Sequence, residues 1–185
     1  GFNTPSLALA NSYESGDTRK NATILFVQPT PFVLWDGFEG SSTWNNPRYN
    51  YKAYQSSIVE SWNGDKGTTA KNLRVLKYSD ILLIRAEAAL ELGMNAEALT
   101  RVNEIRSRAG LNQLSSLTMN ELWKERRLEM AMEHDRWFDL IRTGQAQAAM
   151  SANGKTFVPG KHELFPIPQD QIITSNGSLT QNPGY

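Results

Sequence analysis

Eight aromatic side chains lie between residues 32 and 62, in a segment rich in Asn, Gly and Ser that lacks helical or strand periodicity. Aromatic planes present large apolar faces on which the C–H face of a sugar ring can stack. Carboxylates and amides such as those of Asp36 and Asn45 can bind the sugar hydroxyls. The pattern predicts a glycan-binding platform on loops, with these residues chosen as its contacts: Trp35, Phe38, Trp44 and Trp62. The alternative is that these aromatics fix long loops onto the rest of the fold.

The same loop contains two carboxylates, Asp36 and Glu39, which raises the possibility of glycoside hydrolysis. A glycosidase places its two carboxylates on either side of the scissile bond, and residues three apart in sequence do not do so without help from another element. The sequence has no Gly-x-Ser-x-Gly elbow and no phosphate-binding glycine loop. We therefore predict a binding protein rather than an enzyme.

Composition narrows the ligand class further. Nineteen Lys and Arg residues balance nineteen Asp and Glu residues, so the formal net charge is zero. This balance argues against a nucleic-acid-binding protein and favours a neutral glycan over a polyanion. The chain has no Cys and two His, which excludes disulfides and thiolate zinc sites. We expect no metal and no cofactor.

Three helices are predicted between residues 73 and 150. The first begins at Ser79 or Asp80 and ends at Gly93, and the second runs from Asn95 towards Gly110. Their small residues and short connection fit a helical hairpin of the tetratricopeptide type. A third, long helix is predicted over 118–144, because its first residues form a capping box. Residues 22–27 are predicted to form a strand.

The third helix carries a column of carboxylates at i, i+4 spacing: Glu121, Glu125, Glu129 and Glu133. A metal or acid–base site is the functional alternative, but neither Glu-x-x-His nor His-Glu-x-x-His occurs. Buried carboxylates need partners, because an unpaired buried charge is costly. We therefore predict that Glu129 or Glu133 pairs with an arginine of the hairpin, which offers Arg85, Arg106 and Arg108.

Several segments resemble motifs of the SusD/RagB family and occur in the family's order. Residues 73–88 (LRVLKYSDILLIRAEA) are similar to its "vlRyaevlLiyAEA" helix, and 102–111 (VNEIRSRAGL) to "iN.vR.RaGl". Residues 125–140 (ERRLEMAMEHDRWFDL) resemble the "ERRlElafEghRwfDL" signature, and 166–185 resemble the closing "PIPq…l.QNPGY". Residues 13–19 (YESGDTR) are also similar to an upstream "ye.gDpR".

The resemblance implies a mainly α-helical SusD-like fold with a loop-rich ligand face, and non-catalytic binding of glycan for a partner TonB-dependent transporter of the SusC type. It also implies a lipoprotein at the surface of the bacterial outer membrane, whose lipid anchor lies upstream of this chain. The expected parts are a ligand face over 1–72, a helical core over 73–150 and a wrapping tail over 151–185, together one C-terminal SusD/RagB domain. A module that docks on the transporter without contacting ligand is the alternative.

Overall fold

The structure is a computed structural model, and it describes residues 3–60, 71–72 and 74–185. Within these residues it contains eight helices: α1 Leu7–Ser12, α2 Arg19–Thr23, α3 Tyr78–Glu91, α4 Asn95–Arg108, α5 Met119–Glu129, α6 Arg136–Arg142, α7 Ala146–Ser151 and α8 Gln169–Thr174. Its strands are short: β1 Ile24–Phe26, β2 Phe32–Val33, β3 Glu39–Gly40 and β4 Arg48–Asn50. The predicted mainly α class is confirmed. The chain divides into two compact units, Gly1–His134 and Asp135–Tyr185.

Helices α3 and α4 form the predicted hairpin, and they reverse direction at Gly93, whose φ of 72° is accessible to glycine at little cost. Ala86 and Ala98 are fully buried, since small side chains allow the two helices to pack closely. Leu122 and Met130, from α5 and its end, complete the apolar core around the hairpin. The predicted capping residues are wrong, because α3 and α4 begin after Lys77 and Met94 without a side-chain cap.

Helix α5 begins as predicted, with a capping box between Thr118 and Glu121. The single long helix expected over 118–144 is nevertheless wrong, because α5 ends at Glu129 and α6 starts at Arg136. Between them Met132 and His134 adopt φ values of 66° and 75°. A right-handed helix cannot continue through such left-handed residues, and the chain turns there instead.

The four strands form two small antiparallel pairs in the first unit. β1 pairs with β4, and Leu25 lies opposite Tyr49. β2 pairs with β3 in a hairpin that places Phe32 opposite Gly40. Ile24 of β1 joins a second apolar core, which α1 shares with the end of α5, and there the Tyr13 hydroxyl donates to the Leu128 carbonyl at 3.2 Å.

The second unit contains α6, α7 and α8, joined by turns. Leu140 and Ala146 are buried, and the Trp137 ring lies 6.3 Å from the ring of Phe157. Side chains near the end of the chain bond to its preceding segment: Asn182 Nδ2 donates to the Phe165 carbonyl at 2.6 Å. Among the helices described in the two units, none combines the length and apolarity that crossing a membrane requires.

Candidate functional site

A cleft of about 1030 Å³ opens on the first unit, between the loop segment and the end of α5. The loop side supplies five aromatic side chains: Phe38, Trp44, Tyr49, Tyr51 and Tyr54. The other side supplies mainly charged groups from the end of α5 and the segment that leads into α3. These five rings form what we call the aromatic wall of the cleft. Together with the polar groups that face them, they have the character of a ligand site.

Trp44 is the centre of the aromatic wall. Its ring is edge-on to Phe32 at 5.7 Å and to Tyr49 at 5.3 Å, and it lies 6.3 Å from Phe38. Edge-to-face contacts are the favoured geometry for aromatic pairs. Trp44 remains half-buried, so its neighbours hold the indole in place while part of it faces the cleft.

The turn of the β2–β3 hairpin is fixed to this wall through Asp36. The Asp36 carboxylate accepts from the Phe38 backbone N–H at 3.1 Å and from the Tyr54 hydroxyl at 2.6 Å. Desolvation alone would raise the pKa of Asp36, but hydrogen bonds from Ser56 and Tyr54 lower it below its ordinary value. Burial and the same carboxylate raise the pKa of Tyr54. The ionised carboxylate of Asp36 therefore stabilises the hairpin turn by accepting hydrogen bonds from its backbone and from Tyr54.

The four predicted glycan contacts lie in different places. Phe38 and Trp44 both line the cleft. Trp35 is 66% exposed at the hairpin turn and is not part of the lining, and Trp62 lies outside the described residues. None of the three described residues belongs to either apolar core.

Sequence reasoning did not select the other three aromatics of the cleft. Tyr49 belongs to β4, while Tyr51 and Tyr54 follow that strand. Tyr51 and Tyr54 have their ring centroids 5.5 Å apart. They approach Trp44 because β4 pairs with β1, a long-range contact that no local sequence signal indicates.

The charged side of the cleft is built around Glu129 and Glu133. Arg108 donates to Glu129 at 2.6 Å, which confirms one of the predicted pairs. Arg19 at 3.3 Å and Lys77 at 3.4 Å also contact Glu129. Burial opposes ionisation of Glu129, yet a hydrogen bond from Ser79 and the nearby charges of Lys77 and Arg108 lower its pKa to about 2.

The other arginines of the hairpin have different partners. Arg106 donates to Glu14 at 2.9 Å and to Glu125 at 3.2 Å. Arg85 lies 2.6 Å from Glu97 and does not contact the carboxylates of the cleft. The carboxylates of the column are therefore held in structural ion pairs, as predicted, although Arg19, Lys52 and Lys77 are not among the hairpin arginines expected to pair with them.

Two lysines hold the turn that follows α5. Lys52 and Lys77 each donate to the Glu129 carbonyl at 2.9 Å. They also donate to Glu133 Oε1, at 2.6 and 2.8 Å respectively. Because each lysine bonds both backbone and side chain, the pair stabilises the left-handed turn that carries Met132 and His134 along the cleft.

Within the described ranges, no group of three or more His, Asp or Glu side chains is arranged to hold a metal ion.

The fold is that of a mainly helical, loop-rich protein with an aromatic cleft. The SusD family model matches residues 8–185, and the chain therefore belongs to the SusD family.

The chain is similar to other SusD-like proteins, and two of the solved structures are named for the glycans they bind. SusD-like protein P2 of Formosa agariphila is 26% identical, over 98% of this chain and 40% of that protein. The solved structure of a laminarin-binding SusD-like protein is 31% identical with a TM-score of 0.76, over 97% of this chain and 38% of that one. Surface glycan-binding protein A from Bacteroides uniformis is 25% identical with a TM-score of 0.73, over 96% and 40%.

This chain spans about 40% of the length of these relatives. The two structures are named as binding proteins and not as enzymes, in agreement with the prediction of a non-catalytic protein.

Proposed function

We propose that this protein binds glycan without catalysis at the surface of the bacterial outer membrane and delivers it to a partner TonB-dependent transporter. The observation that carries the proposal is the aromatic wall of the cleft, formed around Trp44. Membership of the SusD family and the names of its glycan-binding relatives support it. In this proposal a lipid anchor upstream of the chain holds the protein at the membrane.

Stacking on the aromatic wall is the main source of glycan affinity. Phe38 and Trp44 are half-buried, so their rings are held by neighbours and lose little side-chain entropy when a sugar stacks on them. Amide groups of Asn50 and Asn72 line the same cleft and supply both hydrogen-bond donors and acceptors for hydroxyls.

The carboxylates of the cleft are unsuited to catalysis. A general acid near neutral pH needs a pKa close to that pH, whereas the pKa of Glu129 is about 2 and that of Glu133 is also lowered. Burial opposes the shift of Glu133, but hydrogen bonds from Lys52 and Lys77 overcome that effect. Both carboxylates are held as partners of cations, which supports binding without bond cleavage.

The test compares Trp44→Ala with Phe138→Ala in binding to a panel of polysaccharides that includes laminarin, by affinity electrophoresis and calorimetry. Phe138 is the control because it is an exposed aromatic of the second unit, outside the cleft. We expect Trp44→Ala to weaken binding about tenfold or more, the effect of losing one stacked aromatic, while Phe138→Ala retains affinity. Circular dichroism checks that both variants remain folded.

Equal affinity of folded Trp44→Ala and the unmodified protein would refute the cleft as the glycan site. Release of reducing ends during incubation would refute the non-catalytic proposal. The alternative of a docking module without ligand contacts predicts co-purification with the transporter and no glycan binding by the unmodified protein. Co-purification that requires added glycan would instead support delivery.

A further inference from the structure

The charge available to a ligand in the cleft differs from the balanced charge of the whole chain. Glu129 and Glu133 are the carboxylates of its lining, and both are in contact with lysine or arginine side chains. Glu133 lies 2.6 Å from Lys52 and 2.8 Å from Lys77, and Glu129 lies 2.6 Å from Arg108. Within the described lining, each of these carboxylates is therefore already paired with a cation.

Arg74 lies outside this network of ion pairs. It lines the cleft, its side chain is exposed, and it has no ion pair with any residue in the described ranges. Its guanidinium offers five N–H donors in a planar fork that fits a carboxylate or sulfate. Arg74 therefore adds to the described lining a positive charge that no described carboxylate pairs with.

A second donor in the lining also lacks an acceptor. The Nε2 atom of Gln55 is buried and makes no hydrogen bond within the described part of the chain. A buried N–H without an acceptor costs free energy, and a rotation of the Gln55 side chain towards a ligand oxygen would relieve that cost. Gln55 directly follows Tyr54, whose ring belongs to the aromatic wall, so this donor lies beside the surface proposed to stack sugars.

We propose that the cleft selects an acidic glycan, one that carries uronate carboxylates or sulfate esters, and that Arg74 binds the acidic group. This inference rests on the proposed glycan binding and deepens it. It differs from the neutral ligand that net charge predicts, because net charge counts paired residues far from the site. The selected sugar stacks on the aromatic wall while its acidic group accepts hydrogen bonds from Arg74.

The test uses acidic polysaccharides, each with a neutralised counterpart: polygalacturonate and its methyl ester, and a sulfated glycan before and after desulfation. Laminarin is the neutral reference. We expect an acidic member to bind severalfold more tightly than its neutralised form, since the guanidinium of Arg74 then faces an uncharged oxygen in place of an anionic one. Raising NaCl from about 0.05 M to about 0.5 M should weaken binding of the acidic member, because salt screens an exposed charge pair.

Arg74→Gln is the decisive variant, and Arg85→Gln is its matched control. Arg85 is an exposed arginine of α3 outside the cleft lining, and its partner Glu97 retains a second cation in Arg101. We expect Arg74→Gln to reduce acidic-glycan affinity severalfold and to abolish most of its salt dependence, while Arg85→Gln changes neither.

The outcomes separate the two proposals. Tight binding of laminarin or of neutralised glycans, with no preference for the acidic forms, leaves glycan binding intact and overturns acidic selectivity. Unchanged acidic-glycan affinity in Arg74→Gln overturns the role of Arg74. Failure of the unmodified protein to bind any member, acidic or neutral, overturns the proposed function itself.

Discussion

The Nη1 atom of Arg19 lies 2.5 Å from Oε1 of Glu125, although 106 residues separate the two in sequence. Arg19 also donates to Asp17, through Nε at 2.9 Å and through Nη2 at 2.7 Å. All three side chains are buried. The segments 13–19 and 125–140, both of which resemble family motifs, thus meet in one ion-pair network. Their charged residues stabilise the fold at the cleft, whose lining includes Arg19 and Glu129.

Replacing Arg19 tests the energetic weight of this network. Arg19→Leu leaves the buried carboxylates of Asp17 and Glu125 without their shared guanidinium. Removing one partner of a buried ion pair typically costs roughly 3–5 kcal/mol. We expect a loss of that size in the free energy of unfolding, measured by urea denaturation at pH 7.

The control for this experiment is Arg101→Leu. Arg101 pairs with Glu97 and Glu104 along the surface of α4, where an ion pair contributes about 0.2–1 kcal/mol. Arg19→Lys keeps the charge but cannot donate to several carboxylates in a planar fork, so it should restore part of the loss. Similar unfolding free energies for Arg19→Leu and Arg101→Leu would contradict a stabilising network.

Low pH should lower the free energy of unfolding, because Glu129 becomes protonated. Although burial raises its pKa, the hydrogen bond from Ser79 and the charges of Lys77 and Arg108 lower it from the usual 4.5 to about 2. A carboxyl whose pKa is lower in the folded state stabilises fully above its unfolded pKa and loses that contribution as pH falls towards the folded value. We expect urea denaturation between pH 7 and pH 2 to show declining stability from near pH 5 downwards.

Glu129→Gln isolates this contribution from those of other carboxyls. At pH 7 it should be less stable than the unmodified protein by about 3 kcal/mol, the free energy that corresponds to the lowered pKa. The difference should shrink as pH falls from 5 towards 2, because the unmodified Glu129 then becomes protonated. A difference that stays constant over this range would show that the ionised form of Glu129 is not what stabilises the fold.

Local sequence signals predicted much of the helical architecture. The capping box at Thr118 and the glycine at position 93 mark element ends through contacts within a few residues, so they are readable from sequence. The end of α5 was not predicted, because its left-handed turn is held by Lys52 and Lys77 from distant segments. The composition of the loop predicted an aromatic site, but only the paired strands show which rings share a cleft.

Gly40 provides the space in which the Phe32 ring packs against Trp44 of the aromatic wall. It lies opposite Phe32 in the β2–β3 ladder, and a Cβ atom built on it would overlap the Phe32 ring. Phe32 in turn packs against Trp44 with a centroid distance of 5.7 Å. We expect Gly40→Ala to displace both rings and to weaken glycan binding severalfold, with a loss of about 1–3 kcal/mol in stability from overpacking.

Glu39→Ala is the control for Gly40→Ala, because Glu39 is the exposed neighbour on the same short strand. It should leave both glycan affinity and tryptophan fluorescence unchanged. The fluorescence of Gly40→Ala should shift, since the surroundings of Trp44 change. Unaltered affinity and fluorescence in Gly40→Ala would mean that the ring of Phe32 does not position Trp44.

We propose that Trp35 extends the glycan-binding path beyond the cleft. Its exposed indole precedes Asp36, whose carboxylate is bonded to Tyr54 of the cleft, so the turn that carries Trp35 is fixed beside the site. In this proposal a long glycan chain contacts this indole as well as the cleft, whereas a short oligosaccharide contacts only the aromatic wall around Trp44. We expect Trp35→Ala to weaken polysaccharide binding about tenfold and leave disaccharide binding unchanged, while Trp44→Ala weakens both. Calorimetry with saccharides of increasing length measures this, and equal effects of Trp35→Ala at every length would contradict an extended binding path.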